Sequence, residues 1–267
     1  LDRKGFFIPY ARAKSVVAPG RYEAAVRAYA AAEPAMEAAL DALESFGADL
    51  LKIAAEAEAP QPRWNQDWFC GLDAAMLYTL IRARAPRRVI EIGSGHSTRF
   101  ACRAITDGGH GTELIAIDPQ PRADLSRLPI RCERVPLQAA DRALFDTLEA
   151  GDLLFIDSSH VAMPGSDVDL LLNGFLPALR PGVLVHLHDI FLPDAYPPAW
   201  AWRGYNEQLA VGCLLQGGGY AVRFASHYLA TRWPALIEDS VAARIPLPAE
   251  ALEGSLWLQK LGEAAAG

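Results

Sequence analysis

Two polar runs interrupt apolar stretches of this 267-residue chain, Asp157-Ser158-Ser159-His160 and His186-Leu187-His188-Asp189. Their carboxylates and imidazoles suit two kinds of chemistry. Asp157 and Asp189, with His188 as a third ligand, can hold a divalent cation. Carboxylates and water favour Mg²⁺ or Mn²⁺, and an added imidazole moves the preference towards Mn²⁺, with Fe²⁺ or Zn²⁺ as alternatives. Such a cation would orient adjacent hydroxyls and lower the pKa of the attacking one. His160, three residues beyond Asp157, suits a general base near neutral pH. Asp157 would equally serve by accepting loop amides. His186 and His188 are expected on opposite faces of their strand, with His186 the packed core histidine.

A second candidate site lies upstream. Val89-Ile90-Glu91-Ile92-Gly93-Ser94-Gly95-His96-Ser97-Thr98 reads as strand, glycine turn and helix start. Glycines allow the tight turn and a close ligand approach, and the helix start offers free N–H groups. The next apolar run ends in Asp118-Pro119. An acid there can accept hydrogen bonds from ribose hydroxyls, or it can cap its own loop. Both NAD(P) and S-adenosylmethionine enzymes use a G-x-G turn. The full dinucleotide fingerprint asks for a small residue three positions after the second glycine, where this chain has Thr98.

These residues need strands to carry them. Short apolar runs at 88–92, 113–117, 131–135, 153–156 and 183–187 alternate with helical stretches at 96–105, 139–149 and 168–179. That pattern predicts an α/β fold with a parallel sheet covered on both faces. Ligands of such sheets sit beyond the carboxyl ends of the strands, so the polar exits and the glycine turn should share one cleft. Runs at 220–224 and 227–230 read as a closely linked antiparallel pair that finishes the sheet. The Ala/Glu/Leu-rich stretch 21–58 reads as one or two helices capping the main domain. Phe6, Phe7, Pro9 and Tyr10 fall in an irregular start. The divisions expected are an N-terminal helical extension (1–62), a core (63–231) and a C-terminal tail packed on it (232–267). Trp64, Trp68 and Phe69, with Tyr196, Trp200, Trp202 and Tyr205, could form a lid over the cleft mouth.

Glu91-Ile92-Gly93-Ser94-Gly95 followed by Asp118 resembles the first two motifs of class I S-adenosylmethionine-dependent methyltransferases. The resemblance covers about residues 86–231. It implies a Rossmann-like seven-stranded sheet, mostly parallel with an antiparallel final hairpin. It places Glu91, Gly93, Ser94, Gly95, Ser97, Asp118 and Pro119 at S-adenosylmethionine, the glycine turn against the amino-acid portion and the acid on the ribose. Asp157-x-x-His160 with a later acidic pair is similar to metal-dependent O-methyltransferases acting on sugars of natural products. There the first Asp and the pair hold Mg²⁺ and the His is the base. This chain departs from that pattern, with His188-Asp189 where two carboxylates would stand. The stretch 155–197 also resembles a bacterial branch of these methyltransferases. The expected activity is O-methylation of a small hydroxylated acceptor. The alternatives are an NAD(P)-dependent oxidoreductase and a non-catalytic or metal-dependent hydrolytic descendant of the fold.

Bulk properties exclude other classes. Hydrophobic residues make up 51% and charged residues 21%, an ordinary globular profile. The net charge is -7 and no dense Lys/Arg run exists, so no nucleic-acid partner is expected. Arg82, Arg84, Arg87 and Arg88 read as a solvated helix end. Cys70, Cys102, Cys132 and Cys213 have neither disulfide-framework nor zinc-ligand spacing, and are expected as free thiols. No apolar run reaches the ~18 residues of a membrane span. With no signal peptide visible, a cytoplasmic location is expected. The first residue is Leu1 rather than Met, so the native start is expected upstream. The Ala-rich N-terminal helices would suit a homodimer.

Overall fold

A computed structural model describes residues 10–262. Phe6, Phe7 and Pro9 lie outside the described residues, as do the last five residues of the tail. The centre is a seven-stranded sheet: β1 (Arg88–Ile92), β2 (Glu113–Ile117), β3 (Arg131–Glu133), β4 (Leu153–Ile156), β5 (Leu184–Leu187), β6 (Tyr220–Ala225) and β7 (Leu256–Lys260). Their order is β3-β2-β1-β4-β5-β7-β6. β1 to β5 run parallel, whereas β7 lies antiparallel to both β5 and β6. All four residues of β4 and of β5 are buried. Helices cover both faces, so continuous apolar strands are what the sheet requires. The chain leaves β1 towards β2 and β3, then returns to lay β4 on the other side of β1. That reversal opens a crevice beyond the ends of β1 and β4, where open α/β sheets bind ligands.

The antiparallel end differs from expectation in which residues build it. Residues 227–230 are helical, within Ser226–Arg232, and the second antiparallel strand is β7, from the C-terminal region. A four-residue apolar run does not distinguish strand from helix by periodicity. Leu256, Trp257 and Leu258 are fully buried in the slot between β5 and β6, where they complete the hydrogen bonding of both strands. Residues 226–232 bury Tyr228 and Leu229 as a helix instead. The Tyr228 ring meets Tyr29 edge-on at 5.3 Å, and its hydroxyl donates to Glu33.

The N-terminal helices span Glu23–Ser45 and Gly47–Leu50, and the first packs on β6 and on the helix Glu207–Gln216. Helix Gly71–Arg84 is buried along most of its length and packs on helix His96–Gly108. Asp73, with no exposed surface, accepts from Ser226 Oγ (2.5 Å), Gly254 N (2.9 Å) and Ser255 N (3.0 Å). It thereby ties the entry to β7 and the end of β6 to the start of helix Gly71–Arg84. Of the basic cluster, Arg82 pairs with Asp49, Arg87 with Glu149 and Arg88 with Glu113. The four cysteines are free. No helix among the described residues is long and apolar enough to cross a membrane.

Candidate active site

Beyond β1 the chain turns at Gly93, whose φ is +77°. Its N–H donates to Ile117 O, while Asp157 N donates to Ile92 O, so the turn is clamped between the ends of β2 and β4. Glu91 lies beneath it rather than on the cleft wall. Ser97 Oγ and Thr98 Oγ1 donate to the two Glu91 oxygens at 2.5 and 2.7 Å, and Gly95 N donates to Thr98 Oγ1 at 2.9 Å. Burial pushes the Glu91 carboxyl up to about 8, against the lowering pull of those two hydroxyls. Thr98 therefore stands where a dinucleotide turn wants a small residue, and its hydroxyl is committed to the turn's own framework.

The cleft above has a volume of about 810 Å³ and is lined by Gly93, Ser94, His96, Asp118, Pro119 and Asp157 among others. Asp118 Oδ2 accepts from Ser94 N (2.8 Å) and Ser94 Oγ (2.9 Å), and Oδ1 accepts from Gln120 N (2.7 Å). Both expected roles for Asp118 are therefore compatible: it organises its loop and it borders the cleft. His96 Nδ1 and Ser158 Oγ are buried on this wall without a hydrogen-bond partner. Burial, with Arg99 and Arg63 nearby, lowers His96 to about 4, so the ring is neutral. A cleft lined by both polar and apolar side chains, with orphaned polar atoms on its wall and a left-handed glycine beside it, fits a nucleoside-type cofactor.

A second cavity of about 190 Å³ opens next to it, lined by Asp157, His160, His188, Asp189, Trp200, Arg203 and Tyr205 among others. Trp68, Arg122 and Asp157 border both cavities. The Arg122 guanidinium lies 4.7 Å over the Trp68 ring. Trp64 and Phe69 are buried packing anchors instead, against Phe100 and Phe155.

The exits of β4 and β5 converge as their positions imply. His160 Nε2 lies 3.2 Å from Asp157 Oδ1 and 3.5 Å from Asp189 Oδ2. Its Nδ1 lies 3.0 Å from Oε2 of Glu207, a buried carboxylate that no sequence motif marks. His160 and Asp189 both have left-handed backbones, φ 59° and 55°. Non-glycine residues held there cost about 1–3 kcal/mol and cluster at functional sites. Burial disfavours charge on His160, but bonds to Asp157 and Glu207 and the nearby Asp189 hold its pKa well above the usual value. Burial likewise works against the Asp157 carboxylate, and His188 and His160 outweigh it, keeping that carboxyl below its usual range. Asp189 is raised, chiefly by burial.

His186 and His188 share a face, contrary to expectation, because residues two apart on a strand point the same way. Their rings lie 5.8 Å apart. His186 is the core histidine, stacked on Phe155 at 3.9 Å and bonded to Ser255 Oγ. Burial keeps it neutral.

The donor set does not fit a divalent ion. Both carboxylates of the expected metal site have an oxygen against His160 Nε2, and the other oxygen of Asp189 lies 3.6 Å from His188 Nε2, so each faces an imidazole nitrogen. Nε2 of His188 is engaged by the Trp68 carbonyl at 3.1 Å. Among the described residues no group of three or more His, Cys, Asp or Glu side chains is arranged to hold a metal.

A sequence-family model described as a methyltransferase domain matches residues 90–190, a span from β1 to just beyond β5. No curated protein matches the chain. Among solved structures, the chain is similar to the S-adenosylhomocysteine-bound methyltransferase PaMTH1 of Podospora anserina. The two are 17% identical, with 97% of this chain and 100% of that one covered and a TM-score of 0.45. An O-methyltransferase of Bacillus cereus in complex with S-adenosylhomocysteine is 13% identical over 84% of this chain and 90% of that one, TM-score 0.42. A branched-chain polyamine synthase of Thermus thermophilus is 15% identical over 85% of this chain and 65% of that one, TM-score 0.44. Residues 90–190, which carry the glycine turn, Asp118 and the polar exits of β4 and β5, are therefore similar to a methyltransferase domain.

Proposed function

We propose that this protein transfers a methyl group from S-adenosylmethionine to a hydroxyl of a small acceptor. The observation that carries this reading is the meeting of the two cavities at Asp157, one large and bordered by Gly93, Ser94 and Asp118, the other small and lined by acids, imidazoles and aromatics. When bound, S-adenosylmethionine supplies an electrophilic methyl carbon on a sulfonium. Asp118 would hold the ribose, and Gly93 and Ser94 the amino-acid portion. The acceptor sits between Trp200, Tyr205 and the Asp157–His160–Asp189 cluster. That cluster takes the hydroxyl proton as the new bond forms. With His160 already favouring its charged form, a neighbouring carboxylate receives the proton and the imidazolium steadies the developing oxyanion. Excluding water is the task of Trp68 and Arg122 at the junction. No metal step enters this scheme, because the carboxylates that would hold the ion face imidazole nitrogens.

Calorimetric titration with S-adenosylmethionine tests the cofactor. We expect micromolar binding, lost at least tenfold in Asp118→Ala. Binding of NADH in its place would make the protein an oxidoreductase and end this reading.

A further inference from the structure

Glu207 opens the helix Glu207–Gln216, and its side chain is 1% exposed. An acid in the first turn of a helix is ordinarily explained by the helix dipole. Here the carboxylate reaches across to His160 Nδ1 at 3.0 Å. Its other oxygen, Oε1, is buried without a hydrogen-bond partner. A buried carboxylate with one satisfied oxygen is costly, and the hydrogen bond to His160 is the interaction that offsets it. The backbone repeats the connection: Asn206 N and Glu207 N both donate to the His160 carbonyl, at 3.1 and 3.2 Å. Asn206 also exchanges two side-chain hydrogen bonds with the backbone of Ala162. The helix start and the loop after β4 are thereby fastened together at the residue whose backbone is left-handed.

The two ring nitrogens of His160 thus have separate tasks. Nδ1 faces Glu207 inside the protein, and Nε2 faces Asp157 and Asp189 at the acceptor cavity. We infer that Glu207 is a positioning residue, which keeps the proton of His160 on Nδ1 in every state of the ring and so presents Nε2 to the acceptor. The hydrogen bond one nitrogen makes fixes which nitrogen is free for chemistry. The inference rests on the reading of that second cavity as the acceptor site.

The test is ¹⁵N-histidine NMR of the full chain, recorded with and without S-adenosylhomocysteine, with His160→Gln assigning the signal. The wild-type protein should show a slowly exchanging, downfield proton on His160 Nδ1. In Glu207→Gln the neutral amide oxygen still accepts, so the signal should persist with exchange about tenfold faster, as expected when a charge-assisted bond becomes a neutral one. In Glu207→Leu it should vanish. Absence of the signal in folded wild-type protein, or its survival in Glu207→Leu at the original rate, overturns the inference. If Glu207→Leu does not fold, an unchanged exchange rate in Glu207→Gln overturns it equally. Failure of the methyltransferase reading would appear separately, as wild-type protein that binds neither S-adenosylmethionine nor S-adenosylhomocysteine.

Discussion

The carbonyl oxygen of Asp157 fills the space that a side chain at Gly93 would need. A Cβ built on Gly93 overlaps that oxygen, and the backbone at Gly93 is left-handed as well. The end of β4 and the turn after β1 are thus packed as one piece, and both cavities depend on it. Gly93→Ala should destabilise the fold by about 2–4 kcal/mol through backbone strain and displacement. It should also weaken S-adenosylmethionine binding by more than tenfold. Gly95→Ala is the comparison, since a Cβ there meets nothing within 4 Å. Urea unfolding and calorimetry on both variants check this. Equal losses at the two positions would contradict the packing argument.

Asp118 is held in place by three local donors before any ligand arrives. Such preorganisation leaves a carboxylate ready for ribose hydroxyls without a reordering cost. Asp118→Asn should retain part of the loop geometry and weaken the cofactor by about 1–2 kcal/mol, roughly ten- to thirtyfold, because hydrogen bonds to a charged acceptor are the stronger ones. Asp118→Ala should weaken it further. A Kd series against S-adenosylhomocysteine measures both.

Burial raises Glu91 from an ordinary 4.5 to about 8 in the folded protein. Between those values the folded chain holds a proton that the unfolded chain has released. Stability from this group is therefore complete below about pH 4.5 and declines as pH rises towards 8, where the carboxyl must be buried charged. The full decline should approach roughly 5 kcal/mol, since each pKa unit corresponds to ~1.4 kcal/mol. Glu91→Gln should flatten it. Melting temperatures measured from pH 5 to 8.5 on the two proteins would show the slope, and parallel curves would refute it.

Legibility followed locality. The glycine turn, Asp118 and the polar exits of β4 and β5 could be read because each is set by a few consecutive residues and by the rule that parallel strands present their ends together. The identity of the last strand could not. Residues 227–230 and 256–260 are both short apolar runs, and only the slot between β5 and β6 decides which becomes a strand. Glu207 and Asp73 escaped for the same reason: a glutamate opening a helix and an aspartate inside one carry no local mark of their partners 47 and 153 residues away. Asp73→Ala should cost about 3–5 kcal/mol in chemical denaturation, because Ser226 Oγ, Gly254 N and Ser255 N lose a buried anionic acceptor together. A loss below 1 kcal/mol would mean that β7 is secured without it.

The imidazole of His160 stands where a cation could bridge Asp157 and Asp189, and this makes metal binding conditional on that ring. Asp157 Oδ1 and Asp189 Oδ2 both lie within 3.5 Å of Nε2. Removing the ring leaves two carboxylates facing a common space, the arrangement that a hard divalent ion favours. Titration of wild-type protein with Mn²⁺ should give no site dependent on Asp157, and treatment with EDTA should leave S-adenosylmethionine affinity unchanged. His160→Ala should gain Mn²⁺ binding that is abolished by adding Asp157→Asn. Retained Nε2 in His188 would not compete for the ion, because the Trp68 carbonyl already engages it. Micromolar Mn²⁺ binding to the wild-type protein, lost in Asp157→Asn alone, would instead show that the ion displaces His160 and that the cluster is a metal centre.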